Sequence, residues 1–372
     1  MNIPFYRVDV GGDEREKVDE VFDGEAPNII EDFEADFESY VGATYALATS
    51  HGTSALHLAM LAIDLKRGDK VLCSVNAFAS VPEVVRHFDA EPIFVDVEAE
   101  TMNINLDKLE AYLADNTSKK LKAVIVTHIA GQATDLERLY NIAKIYDVKI
   151  IEDASDALGA TYKGEKIGST GADITCFSFS SHLKNNPCNG GMLVTNDEDI
   201  MERAKLLRDH ALVVEDETLD YVYDVTDIGS KYTISPLDAA FMSVKLERQD
   251  QTVSRQQDIA KIFNEKLKGV DHIITPVANN DHAYSMYIIK IDKNRDSFAR
   301  ALAEKGIKTG LHYIPLHLMT YYKAKYSLRV NDFPVALRNF QQVLSIPIYA
   351  ALSDKEIAFI CDTIKDIAKN RV

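Results

Sequence analysis

Three segments carry residue types whose chemistry depends on where the chain places them. In VKIIEDASDALGA, the acidic pair Glu152-Asp153 closes an apolar run. Open α/β sheets present ligands at the carboxyl ends of their strands, where a carboxylate can pair with a protonated ring nitrogen. A strand-end acid can equally serve as a helix N-cap. In SSHLKNNPCNGG, Lys184 follows another apolar run and precedes Gly190-Gly191. A lysine in such a loop can form an imine with an aldehyde cofactor, although most lysines are simply solvated. In TSHGTSALHLA, Ser50, Gly52, Thr53 and Ser54 open an apolar-periodic segment. Free N–H groups, hydroxyls and the positive end of a helix dipole suit a phosphate there; plain capping is the competing reading.

These segments need a frame to hold them. KVLCSV (70–75), EPIFVDV (91–97), KAVIVTH (122–128), VKIIED (148–153), ITCFSF (174–179) and GMLVTN (191–196) read as strands. Their nearly continuous apolarity is that of strands covered on both faces. SALHLAMLAIDL (54–65) and DLERLYNIAKIY (135–146) read as helices between them. The alternation predicts an α/β unit with a mostly parallel central sheet. Residues 197–265 read as charged and helix-rich. From about 272 onward AYSMYIIKID, HYIPLH and SIPIY alternate with helical segments, as in a smaller α+β domain. The expected division is 1–250 for the large domain, with its N-terminal segment, and 251–372 for the small one.

Composition narrows the function classes. At 372 residues the chain has room for two domains. Its net charge of −17 argues against nucleic acid as the main partner. No apolar stretch reaches the roughly 18 residues of a membrane span, and MNIPFYRVDVGGDERE lacks the pattern of a secretory signal. Cys73, Cys176, Cys188 and Cys361 lack metal-ligand spacing, so no metal is expected. Reduced thiols in the cytoplasm are the natural reading.

Taken together, the blocks resemble the DegT/DnrJ/EryC1/StrS family of sugar aminotransferases over nearly the whole chain. The carrying residues are GTSALHLA (52–59), GDKVL (68–72), EPIFVDVE (91–98), HIAGQATD (128–135), EDASDALGA (152–160), FSFSSHLKNNPCNGGMLVTND (177–197), HYIPLH (312–317) and SIPIY (345–349). The resemblance implies a fold-type-I transferase dependent on pyridoxal 5'-phosphate. It further implies amination of a nucleotide-linked keto sugar, of the 4-keto-6-deoxy kind by family frequency, with glutamate as amino donor. By the same resemblance Asp153 binds the ring nitrogen, Lys184 is the Schiff-base lysine, and Thr53, Ser54 and Ser178 hold the phosphate. Phe78 stacks on the ring, Asp156 lies near its hydroxyl, and His312 and Tyr313 belong to the sugar-nucleotide region. A homodimer with shared active sites is implied as well.

Three departures from the family pattern stand out. An ungapped alignment puts the lysine position on Leu183, and a one-residue shift restores Lys184. Position 156, commonly Gln, His or Glu, is Asp156 here. The family's Asn-x-Arg, whose Asn reaches the partner's phosphate, reads Lys231-Tyr232-Thr233; Lys231 can serve as a point charge across a dimer interface. Two other readings remain open at this level. His182 lies one residue before the aligned lysine position, and family members with histidine in place of the lysine deoxygenate the sugar. A non-catalytic binding or regulatory protein is the other.

Overall fold

The computed structural model describes residues 1–372 apart from 8, 180–186, 216–217, 220, 278, 280 and 371–372. Lys184, His182 and Leu183 lie outside the described residues.

The large unit is built on strands β1 (Tyr45–Thr49), β2 (Lys70–Ser74), β3 (Glu91–Val95), β4 (Leu121–Thr127) and β5 (Lys149–Asp153). A short hairpin, β6 (Thr161–Tyr162) with β7 (Glu165–Lys166), precedes β8 (Ile174–Ser178) and β9 (Gly191–Thr195). Seven of these form one sheet in the order β1-β9-β8-β5-β4-β2-β3. The pairs β2–β3, β2–β4, β4–β5 and β5–β8 are parallel, whereas β9 runs antiparallel to both its neighbours. The six strands expected from apolar runs are present to within two residues at their ends. β1 is an addition: in YALAT the small alanines mute the apolar signal.

Both faces of the sheet are covered, which is why its strands are apolar on both sides. One face packs against helices Ile29–Val41, Leu106–Asp115, Leu136–Tyr146 and Pro236–Glu247. The other carries Gly52–Ala62, Ser80–Arg86 and Glu198–Arg208. The helix Leu136–Tyr146 starts where the Asp135 side chain accepts a hydrogen bond from the Arg138 amide, and it stops at Asp147 in the left-handed region. The same capping starts Glu198–Arg208, with Asp197 accepting from the Ile200 amide.

Within the charged stretch after residue 197 the structure adds an element absent from the sequence reading, the antiparallel hairpin of β10 (Leu212–Val214) and β11 (Tyr223–Val225). The C-terminal sheet pairs β12 (Ile273–Ile274), β13 (Tyr287–Ile291) and β14 (Val343–Ile346), all antiparallel. Helices Gln249–Leu267, Arg295–Glu304 and Asp354–Lys369 cover it. Ile3 belongs to this third core and forms an isolated bridge to Ile307, so the N-terminal segment packs with the C-terminal core. HYIPLH is not a strand. It is an irregular segment ending in the single turn Leu316–Leu318, and Leu316 packs into a core of the large unit.

Candidate active site

The parallel strands deliver their carboxyl ends to one edge of the sheet, and the candidate residues assemble there. A cavity at this edge is lined by Thr53, Phe78, Thr127, Asp153, Asp156 and Ser178, among others, with Tyr313 closing it from the C-terminal unit.

Asp153 ends β5. Successive strand residues face opposite ways, so the adjacent acids Glu152 and Asp153 have different fates. Glu152 is buried on the far side, accepting hydrogen bonds from Tyr140 Oη at 2.5 Å and Thr175 Oγ1 at 3.3 Å. His128 Nε2 lies 3.4 Å from it. Asp153 faces the cavity. Its carboxylate accepts from the Ser155 hydroxyl at 2.5 Å, the Ser155 amide at 3.2 Å and Thr127 Oγ1 at 3.2 Å. Burial raises the Asp153 carboxyl above its ordinary range, and the Ser155 and Thr127 hydrogen bonds oppose that shift. Its hydrogen-bond donors among the described residues, Ser155 and Thr127, are neutral, and none of them is a cation on the cavity side. A protonated ring nitrogen would supply one.

The phosphate end is set by close packing. The helix Gly52–Ala62 points its first turn at the end of β8. A Cβ on Gly52 would sit 2.4 Å from Ser178 Cβ, and one on Gly191 would sit 2.5 Å from the His51 carbonyl. Only glycine allows the three segments to meet this closely. Ser178 lies between Phe177 and Phe179, which take the opposite face and join Phe33 and Phe37 in an aromatic cluster with ring centroids 5.1–6.3 Å apart. Each such pair contributes about 0.5–1.5 kcal/mol beyond burial. The cluster therefore anchors the backbone that presents the Ser178 hydroxyl. Thr53 is exposed at the cavity rim, whereas Ser54 is buried behind it, 3.1 Å from Ser50 Oγ, and does not line the cavity.

Phe78 follows β2 after a turn in which Asn76 N donates to Ser74 Oγ at 3.1 Å. Phe78 is 42% exposed and lines the cavity. Tyr313 lies 6.1 Å from it, centroid to centroid, tilted by 53°. The Tyr313 amide donates to Asn76 Oδ1 at 3.2 Å, and its hydroxyl reaches Asp156 Oδ2 at 3.4 Å. Burial, then the charges of Asp156 and Asp153, hold the Tyr313 phenol well above its usual value. It therefore remains a hydrogen-bond donor. His312 is buried beside the cavity, not in its lining, with Nδ1 2.6 Å from Ser345 Oγ.

Lys231 lies apart. Its ammonium pairs with Asp209 at 2.7 Å on an exposed surface at the base of the β10–β11 hairpin. The sequence reading missed Thr127 and Ser155, the two residues that fix Asp153. Both adjoin motifs already singled out, but single threonines and serines carry no distinguishing signal. Among the described residues no cluster of His, Cys, Asp and Glu is arranged to hold a metal, and no helix is long and apolar enough to cross a membrane.

The arrangement offers a buried acid, an aromatic face and a hydroxyl-lined helix start around one cavity. These features fit a flat, phosphate-bearing cofactor with a basic ring nitrogen. Comparison with known proteins agrees. The family model described as the DegT/DnrJ/EryC1/StrS aminotransferase family matches residues 10–365. The chain is 30% identical to a GDP-perosamine synthase of Escherichia coli O157:H7 over 99% of each protein. It is 31% identical to a dTDP-3-amino-3,6-dideoxy-alpha-D-galactopyranose transaminase of Aneurinibacillus thermoaerophilus, covering 90% of this chain and 89% of the relative. Among solved structures, a putative sugar aminotransferase of Streptococcus pneumoniae in its PLP form superposes with a TM-score of 0.88, covering 99% of both chains at 24% identity. At that identity the likeness speaks for the fold.

Proposed function

The chain belongs to the DegT/DnrJ/EryC1/StrS aminotransferase family, and we propose that it is a pyridoxal-phosphate-dependent enzyme that aminates a nucleotide-linked keto sugar with glutamate as donor. The observation that carries this reading is Asp153, buried at the strand end and hydrogen-bonded, among the described residues, by neutral donors. When bound, the cofactor supplies an electron sink for the carbon that loses its proton. Asp153 keeps the ring nitrogen protonated, and Ser155 and Thr127 keep Asp153 in place. Thr53 and Ser178, with the helix N-terminus, hold the phosphate, and Ser54, hydrogen-bonded to Ser50 behind the lining, supports that first turn. Phe78 orients the ring, and Tyr313 and Asp156 bound its hydroxyl side. Lys184 moves the proton between the substrate carbon and the cofactor in each half of the cycle. His312, behind Tyr313, supports the sugar-nucleotide region.

The substrate class follows the relatives, which are named for GDP- and dTDP-linked amino sugars; the acceptor is a 4-keto-6-deoxy sugar. The chain would work as two units, 1–250 and 251–372, in a compartment that keeps its four free cysteines reduced, the cytoplasm. Incubation of the holoprotein with glutamate should bleach its visible absorption band. Subsequent addition of a nucleotide-linked 4-keto-6-deoxy sugar should restore the band and yield a product with an amine in place of the keto oxygen. An unchanged band with glutamate, or a deoxygenated product by mass, would overturn the reading.

The working state is a homodimer with shared sites. The β10–β11 hairpin supports this, since Val214, Tyr221, Tyr223 and Val225 are each more than half exposed, an apolar surface a second copy would cover. Among the described residues the Lys231 ammonium at its base is held by one exposed ion pair, which costs little to exchange. Across a two-fold axis the exchange is reciprocal, and each Lys231 would meet its neighbour's cofactor phosphate. Mixing Lys184→Ala with Lys231→Ala chains tests this. A mixed dimer then has one site with both defects and one with neither, so it should show about half the activity of a wild-type dimer. Activity no higher than that of the Lys231→Ala homodimer would refute the shared site.

A further inference from the structure

Beside the cofactor cavity lies a second chamber, and Ser155, Asp156 and Ser178 form a wall common to both. Its volume of about 170 Å³ falls short of the roughly 300–1,000 Å³ of sites that take a whole drug-sized ligand. It suits a single ring.

Three uncharged polar groups in this chamber have no hydrogen-bond partner among the described residues. Gln256, on the helix Gln249–Leu267, is only 7% exposed, and its side-chain amide makes no hydrogen bond among the described residues. Behind it in the wall, Ser285 Oγ and Tyr349 Oη are sealed from solvent and equally unpaired. Buried polar groups are almost always satisfied, and each exception asks for a ligand or water. The Tyr349 ring meets Tyr6 edge-on at 5.9 Å, giving the chamber an aromatic side.

The cations around it are already committed. Arg7 pairs with Glu356 at 2.6 Å, Lys245 with Glu14 at 3.0 Å, and Arg248 with Asp13 and Glu14. Among the described residues no lining lysine or arginine is therefore left over for a phosphate. Amide and hydroxyl groups without net charge, next to an aromatic wall, match the ring hydroxyls of a pyranose.

We propose that this chamber is the compartment that reads the sugar ring of the acceptor, with Gln256 as its principal hydrogen-bonding residue and Ser285 and Tyr349 as supports. The inference rests on the nucleotide-sugar reading above. It separates the sugar, bound by neutral groups here, from the nucleotide diphosphate, bound elsewhere.

Calorimetric titration of the holoprotein with GDP-mannose and GDP, and with dTDP-glucose and dTDP, tests it without turnover. In the wild type at least one sugar nucleotide should bind more tightly than its free diphosphate. Gln256→Leu and, as the milder change, Tyr349→Phe should weaken the sugar nucleotide by about tenfold, the effect of one lost hydrogen bond. Binding of the free diphosphate and bleaching by glutamate should be unchanged. If both variants keep the full advantage of the sugar nucleotide, the chamber holds only solvent and the proposal fails. If glutamate bleaching is what suffers, the chamber belongs to the amino donor and the proposal fails equally. A wild type that binds none of the four compounds overturns the substrate reading itself, and the chamber assignment with it.

Discussion

Lys184→Ala should abolish turnover, lowering it by at least about 10³-fold, and should remove the visible absorption band of the holoprotein. Two losses coincide in this one residue: the covalent attachment to the cofactor and the group that moves the proton. Proton transfer by a positioned side chain contributes about 10²–10⁴-fold, and the covalent route adds to it. The argument for Lys184 comes from its place in FSFSSHLKNN, with the one-residue shift from Leu183 that the family pattern demands. Stopped-flow absorbance with glutamate and steady-state assays of the variant check it. Full activity in Lys184→Ala would move the assignment to His182 and favour sugar deoxygenation.

Asp153→Asn should leave the fold and cofactor binding intact yet reduce the rate by at least about 10²-fold, the scale for loss of one preorganised electrostatic contact. The substitution is nearly isosteric. An amide oxygen can still accept from the Ser155 amide and hydroxyl, and the amide nitrogen can donate to Thr127 Oγ1 in place of the hydrogen bond received there now. What the amide cannot do is compensate a proton on the ring nitrogen. Burial already raises the Asp153 carboxyl above its usual range, so ionised Asp153 is stabilised by a cation within reach. Cofactor binding should accordingly lower its pKa. Below that pKa the pairing is lost, so activity should fall on the acidic limb in the wild type, and that limb should disappear in Asp153→Asn. A pH–rate profile identical for both proteins, or near-normal turnover in the variant, would remove Asp153 from its role.

Much of the frame was legible because strands covered on both faces must be apolar throughout. Runs such as KAVIVTH and VKIIED announced themselves for that reason, and the expected strand ends lie within two residues of those observed. The misses have physical causes. β1 is spelled with alanines, which carry little hydrophobic signal. β9 reads as apolar whichever way it runs, so nothing local reveals that it is antiparallel to β8. The β10–β11 hairpin exposes its apolar residues, which defeats a reading that equates apolar residues with burial. HYIPLH looks like a strand by composition, yet its backbone pairs with the end of β2 through Leu316 N and Val75 O at 2.9 Å and forms no ladder.

For the site, the sequence by itself determined the reagents: an acid closing an apolar strand, hydroxyls opening a helix, and a lysine in a polar loop. Each is a local signal, because strand ends and helix starts are written in neighbouring residues. The tertiary structure decided which of these share a cavity. It turned Asp153 inward and Glu152 away, brought Tyr313 across from the C-terminal unit to Asp156, and left Ser54 and His312 behind the lining. It alone revealed Thr127 and Ser155 as the residues that hold the acid, and Gln256, Ser285 and Tyr349 as unpaired groups around a second chamber. Contacts between residues far apart in the chain depend on how the layers pack. That packing follows from the sum of many weak burial terms, which no single motif contains.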